Sequence, residues 1–267
     1  MLDAGKRNIL GILMNVIDYE AAVERIMRAA AERRGIAVSA LAVHGLMTGV
    51  LDSEQKFRLN HFDLLVPDGQ PVRWVLNGLH RAGLRDRVYG PNLTLNVCAR
   101  AAQEGIPVYF YGSTPEILGA LRENLEAKFP RLLIAGMHAS KFRRLHFEEK
   151  AEVATQILAS GAMITFVGLG CPRQESFAYE FREHLHMPIL AVGAAFPFLA
   201  GLTPQAPNWM QNAGLEWLFR LVAEPRRLWR RYLLLNPAYL LLVALQALRL
   251  SNFSTSGRAP SHELRFG

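Results

Sequence analysis

The strongest constraint in this sequence is a junction that recurs along it: a short apolar run, a turn of glycine or proline, then a stretch with helical character. Phe62–Arg73, FDLLVPDGQPVR, shows it most clearly. Phe62 to Val66 reads as a buried strand that stops at Pro67. Pro67-Asp68-Gly69 is turn chemistry, because proline fixes φ and glycine tolerates positive φ. A helix is expected from Val72 onward. The same order appears where Pro107–Tyr111 runs into Gly112-Ser113-Thr114-Pro115-Glu116. It appears again where Met163–Val167 meets Gly168-Leu169-Gly170-Cys171-Pro172-Arg173-Gln174-Glu175, and where Ile189–Val192 meets Gly193-Ala194-Ala195.

Two more strands are expected, Ile36–Val43, followed by a loop at His44-Gly45, and Leu132–Ala135. Helices are expected from Asp18 or Tyr19 to Arg34, over 53–60, over Leu93–Gln103 and over Phe147–Leu158. Strands alternating with helices up to about residue 200 predict an α/β fold: a Rossmann-like, mostly parallel sheet with helices on both faces. A chain of 267 residues, 51% of them hydrophobic, can bury such a core and carry an appendage. The expected division is a core over 1–203, an arginine-rich helical appendage over 204–250 and a polar, flexible tail over 251–267.

In open α/β sheets ligands bind outside the carboxyl ends of the strands. Asp68 stands at such an end, although the local sequence favours a plain cap for the helix after it. At Gly112-Ser113 the turn leads into a helix start with a Ser/Thr cap and a proline, which makes either an anion site or an unliganded cap. The turn at Gly168 carries GxG but not GxGxxG, and no dinucleotide fingerprint occurs in the chain. That argues against a nucleotide-dependent oxidoreductase, the competing enzyme class for this fold.

A net charge of +7 and a pI near 9.7 suggest an anionic partner. Leu215–Leu250 holds six arginines, two glutamates and no lysine, mixed with Trp217, Phe219, Trp229, Tyr232, Tyr239 and many leucines. Arginine and aromatics set into a leucine-rich helix suit an anionic membrane surface better than nucleic acid, which is not expected as a partner. Asn236, Pro237, Gln246 and Arg249 interrupt the segment, so it is not expected to span a bilayer. Residues 1–18 lack the basic and long apolar regions of a signal peptide, which fits a cytoplasmic location. Cys98 and Cys171 form neither a disulfide framework nor a zinc signature. No DxD stands in a loop after a strand, so neither a metal nor another cofactor is expected.

Five stretches together resemble the WecG/TagA/CpsF glycosyltransferases. They are VPDGQPV at 66–72, RVYGPNL at 87–93, VYFYGSTPEIL at 108–118, VGLGCPRQE at 167–175 and APNWMQNAGLEWLFRLVAEPRRLWRR at 206–231. The resemblance implies transfer of a sugar from a nucleotide diphosphate, usually UDP, to a lipid-diphosphate-linked sugar. It also implies a Rossmann-like domain whose helical appendage completes the active site on the inner face of the plasma membrane, and it makes a homodimer plausible. In this reading Asp68 matches the proposed catalytic base, and Arg87 an arginine near the active site. Gln174 matches the glutamine of a Pro-Lys-Gln-Glu segment, with Arg173 in place of the lysine and Glu175 following. Arg220, Arg227 and Arg230 match appendage arginines that hold diphosphate groups. Asn92, Gly112, Ser113 and Gly168 join them as substrate-binding candidates. The family's Thr-x-Asn after the first strand is Ala42-Val43-His44 here, and His44 is expected to take the asparagine's place. Pro197 and Gln205 stand where the family commonly has Asp and Arg. These departures bear on the donor sugar, with N-acetylmannosamine, its uronic acid and glucose all open. A non-catalytic membrane-surface protein derived from the enzyme is the remaining alternative.

Overall fold

In the computed structural model, which describes all residues except the side chain of Arg231, six strands form one parallel sheet. They are β3 (Ile36–Leu41), β4 (Leu64–Pro67), β5 (Val108–Gly112), β6 (Ile134–His138), β7 (Ile164–Gly168) and β8 (Pro188–Ala191), in the order β4-β3-β8-β7-β5-β6. Successive residues in these strands face opposite sides. Ile36 and Val38 of β3, Phe110 of β5 and Phe166 of β7 join one core. Ala37 and Leu41, Tyr109 and Tyr111, and Val167 join the other. Both faces are covered, as parallel sheets require. One core is closed by α1 (Tyr19–Ala31), α5 (Gly90–Glu104), α6 (Pro115–Lys128) and α9 (Ala195–Leu199). The other is closed by α2 (Val43–Leu51), α3 (Ser53–Asn60), α4 (Gln70–His80), α7 (Phe147–Ala159) and α8 (Arg173–Leu185). The predicted fold class is therefore the observed one.

Register brings the turns together. Leu41 of β3 pairs with Pro67 of β4, and Gly112 of β5 pairs with Gly168 of β7. The loops after β3, β4, β5, β7 and β8 thus open along one edge.

Several boundaries differ from expectation. β1 (Asp3–Ile9) and β2 (Ile12–Ile17) form an antiparallel hairpin that the sequence reading did not include. Leu10 and Gly11 both take positive φ in its two-residue turn, as such hairpins demand. The Asn15 side chain accepts a 2.9 Å hydrogen bond from Leu65 N–H and so satisfies a donor on the edge strand β4. β3 ends at Leu41 and α2 starts at Val43, which puts His44 in a helix rather than a loop. α5 begins at Gly90, three residues earlier than expected, because Pro91 fits a first helical turn.

The C-terminal region folds as α10 (Asn208–Asn212), α11 (Glu216–Ala223) and α12 (Pro225–Ala247). Pro225 starts a new helix rather than kinking a continuous one. Tyr239 is buried and donates a hydrogen bond to Pro71 O, while Gln246 links α12 to Asn8 and Leu10 of the hairpin. Residues 251–267, expected to be loose from their polar composition, lie against the core here. Lys150 pairs with Glu263 at 2.6 Å, and the Glu180 carboxylate accepts from the N–H groups of Leu264 and Arg265.

The edge depends on close backbone approach at Gly112. Its φ is +110°, and an added Cβ would lie 2.8 Å from the Gly168 carbonyl carbon. Gly112→Ala is expected to destabilise the fold by about 2–4 kcal/mol, measured by denaturant unfolding.

Candidate active site

Asp68 follows β4 directly, and the structure gives it a different task from helix capping. Gly69 is the N-cap of α4 and makes no side-chain cap hydrogen bond. The Asp68 carboxylate turns instead toward the start of α5, where its Oδ1 accepts a 2.8 Å hydrogen bond from Gly90 N–H. A helix N-terminus favours an anion, but the surroundings do not fully compensate the loss of water. Burial pushes the Asp68 pKa up from 3.8 to about 6; Arg87 opposes this, Glu216 adds to it, and Gly90 and Arg220 pull the other way.

Arg87 is the partner that organises this pocket. It is buried, its Nη1 lies 2.8 Å from Glu216 Oε2 of α11, and its Nη2 donates to Gln211 Oε1 of α10 at 2.8 Å. Its guanidinium also sits 4.2 Å above the Tyr89 ring. Burial works against its charge, yet Asp68 and Glu216 hold its pKa above the ordinary arginine value. The 81–89 loop is thereby fastened to the C-terminal helices across the sheet edge.

Two clefts meet at Asp68. The larger encloses about 1310 Å³ of open space above the turns and is lined by Ser113, Gly168, Gln174, Gly193, Arg220 and Arg227, among others. The smaller, about 590 Å³, lies between the 42–44 turn and the C-terminal helices and is lined by His44, Arg87, Glu216, Trp217, Arg220 and Tyr232, among others. Ala42, Asp68 and Arg220 line both. The larger cleft suits phosphates. Arg220 and Arg227 supply charge, and the capped start of α6, where Thr114 accepts from Ile117 N–H, points a helix N-terminus at it. Ser113 is buried with φ of 62°, an uncommon conformation for a residue with a side chain.

Gln174 and Glu175 form the floor. Gln174 Nε2 donates to Glu175 Oε1 at 2.9 Å, and Ser39 Oγ donates to the same oxygen at 3.0 Å. Burial raises the Glu175 pKa. Gly193 leaves room for the amide: a Cβ there would stand 2.5 Å from Gln174 Oε1. Pro197 also lines this cleft.

Asp68, His44, Arg87 and Arg220 therefore share one pocket, while Ser113, Gly168, Gln174, Glu175 and Arg227 line its neighbour. Gly112 holds the turn that presents Ser113. Arg230 is exposed, packs over Trp229 and lines neither cleft. Asn92 is exposed on the first turn of α5 and lines neither. Glu216 and Gln211, the anchors of Arg87, were not singled out in the sequence. Their signal was faint: two of several polar residues inside a largely apolar and basic helical stretch. Among the described residues no three His, Cys, Asp or Glu side chains are grouped to hold a metal ion.

Compared with known protein families, residues 7–253 match the model described as the glycosyl transferase WecG/TagA/CpsF family. The charges around Asp68 make a two-way prediction. Glu216→Gln should lower the Asp68 pKa and Arg87→Gln should raise it, each by about one pH unit or less. NMR titration of the Asp68 carboxyl carbon checks both.

Proposed function

The chain belongs to the WecG/TagA/CpsF family and is thus a glycosyltransferase of cell-surface polysaccharide synthesis, and we propose that Asp68 is the base of an inverting transfer from a UDP-sugar to a polyprenyl-diphosphate-linked saccharide. The observation that carries this reading is the position of Asp68 in the lining of both clefts. A donor held over the glycine turns and an acceptor held against α11 and α12 meet at that carboxylate.

In this mechanism the acceptor hydroxyl loses its proton to Asp68 as its oxygen attacks the anomeric carbon. The bond from that carbon to the diphosphate oxygen breaks, and UDP leaves with the electron pair. Arg220, Arg227 and the N-termini of α6 and α8 face the developing charge. A base with a pKa of about 6 is ionised at neutral pH yet basic enough to accept a proton. The other carboxylates at the clefts are engaged: Glu216 with Arg87, Glu224 with Arg227 at 2.6 Å, and Glu175 in the floor. One available carboxylate fits a single displacement, with no second acid to form and release a covalent sugar. The donor is a hexose or N-acetylhexosamine, as its UDP conjugate.

Peripheral attachment to the inner leaflet is part of the same proposal. No helix among the described residues is long and apolar enough to cross a membrane. α12 instead has two apolar sides. Leu235, Ala238, Leu242 and Val243 pack on the core, while Leu233, Leu234, Leu240 and Leu241 are 55–63% exposed. The exposed leucines recur at a spacing of seven and so share a face, with Arg226, Arg227 and Arg230 exposed at the start of the helix. Leucines beside arginines suit the boundary between acyl chains and anionic headgroups.

Asp68→Asn is expected to cut UDP release, measured against a panel of UDP-sugars with a lipid-diphosphate sugar acceptor, by about 10²–10⁴. Turnover close to wild type would remove Asp68 from the base role. The same substitution should not destabilise the fold. Native Asp68 binds its proton more tightly than the unfolded chain does, with a pKa of about 6 against 3.8, so wild-type stability falls as pH rises through that window. Denaturant unfolding should show Asp68→Asn gaining on the wild type between those pH values, by at most about 3 kcal/mol. For the membrane, the double variant Leu233→Asp, Leu241→Asp should lose sedimentation with anionic vesicles while keeping turnover of a water-soluble acceptor.

A further inference from the structure

The smaller cleft does not end at the C-terminal helices. It continues into a groove between α4 and α12 that encloses about 1080 Å³ of open space. Val43, Pro71, Gly214, Trp217 and Asn236 line both, so the two are continuous. The groove has a different chemistry from the pocket. Among the described residues no charged side chain lines it. Trp74, Val75 and Leu79 form one wall, and Tyr239, Leu240 and Val243 the other. The Tyr239 hydroxyl is engaged with Pro71 O, which leaves its ring as the contact surface. Charge among the described residues is confined to one end, where Arg87, paired with Glu216, and Arg220 stand beside Asp68. The other end lies at Leu240, 63% exposed and next to exposed Leu241 on α12.

An amphiphile with an anionic head and a long apolar chain fits this polarity, and a compact polar ligand does not. We propose that the α4–α12 groove holds the first isoprenoid units of the lipid-linked acceptor, with its diphosphate toward Arg220 and the rest of the chain leaving past Leu240. The proposal rests on the reading of Asp68 as the base that meets a lipid-linked acceptor. Apolar chain that enters the groove from water is buried there, and each methylene so buried adds to binding. The groove thereby sets how far the head reaches: the chain is held on one side of Asp68, and the sugar hydroxyl is presented on the other.

Gly78 provides the test. It lines the groove from the exposed side of α4, and a Cβ added there meets no atom within 4 Å. Gly78→Leu therefore adds apolar bulk at the groove lining with room for its Cβ, and Gly78 is not part of the pocket lining around Asp68. The first readout is intrinsic tryptophan emission, since Trp74 and Trp217 line the groove. Titration with a short isoprenoid diphosphate should change it in the wild type, and inorganic diphosphate should not. Gly78→Leu should weaken that binding by about tenfold, the effect of displacing a few methylenes. The second readout is turnover with two acceptors that share one diphosphate-sugar head, one isoprenoid and one on a short water-soluble alkyl chain. Gly78→Leu should raise KM for the isoprenoid acceptor alone and leave kcat and the short acceptor unchanged, which also shows that the variant is folded. An isoprenoid diphosphate that binds no tighter than inorganic diphosphate overturns the groove proposal, whatever the turnover. Isoprenoid binding that responds to Gly78→Leu, with no sugar transfer to either acceptor, would keep the groove and sink the Asp68 reading instead. A change of mass in solution caused by Gly78→Leu, with isoprenoid binding unaltered, would make the groove a contact between two copies and overturn the proposal.

Discussion

A carboxylate at the edge of a sheet and partly withdrawn from water costs free energy unless cations and N–H groups stand near it. Asp68 has both, and the means by which it has them explain the arrangement of the site. Gly90 N–H comes from the start of α5, and the guanidinium of Arg87 comes from the loop before it. Arg87 is buried in turn and needs a further acid, which it finds in Glu216 of α11. The chain Asp68–Arg87–Glu216 thus runs from the parallel sheet through the 81–89 loop to the C-terminal helices. It turns three separate segments into one pocket wall. Removing Arg87 leaves two acids without their shared cation, a larger cost than the pair's net contribution.

The balance within that chain also bears on the base role proposed for Asp68. Two acids share one arginine, so the compensation is incomplete and the Asp68 pKa settles near 6 rather than in the ordinary carboxylate range. A fully neutralised carboxylate would be a poor proton acceptor, and an uncompensated one would stay protonated at neutral pH. The neighbouring cleft runs on different physics. Its floor is the hydrogen-bonded network of Ser39, Gln174 and Glu175, and its walls are glycine turns and a capped helix start. Such a surface receives phosphate oxygens through backbone N–H groups and distant arginines. In the proposed reading, the anionic donor and the nucleophilic acceptor occupy separate halves that share Ala42, Asp68 and Arg220.

The C-terminal helices contribute more than basic charge. Their inner side packs on the core through Tyr239, Leu235 and Leu242 and supplies Glu216, Arg220 and Tyr232 to the small cleft. The outer side carries leucines with no partner in the structure. The helix break at Pro225 separates Arg220 on α11 from the arginines on α12. Arg220 on α11 reaches the clefts, whereas Arg230 on α12 turns outward. Seven- and three-residue spacings would place these arginines on one face of a continuous helix, and the proline prevents that.

The sequence by itself determined the alternation of strands and helices, the parallel sheet and the line of turns along its edge. Those features follow from local chemistry: apolar runs of strand length, and glycine or proline where the backbone must reverse. It also placed Asp68 at that edge through the VPDGQPV turn. What it could not supply was the direction of that carboxylate. Local propensity favours a cap on α4, and the choice fell to Gly90 and Arg87, which lie about twenty residues away in sequence. The N-terminal hairpin was lost for a related reason. Buried on nearly every residue, β2 shows no clean two-residue alternation, and its role of covering edge strand β4 exists only once that sheet is formed. Pairing between distant residues, such as Arg87 with Glu216 across 129 positions, leaves no periodic signal in a single chain. Only the tertiary structure, by making burial of one charge conditional on its neighbour, decided which polar residues became a site.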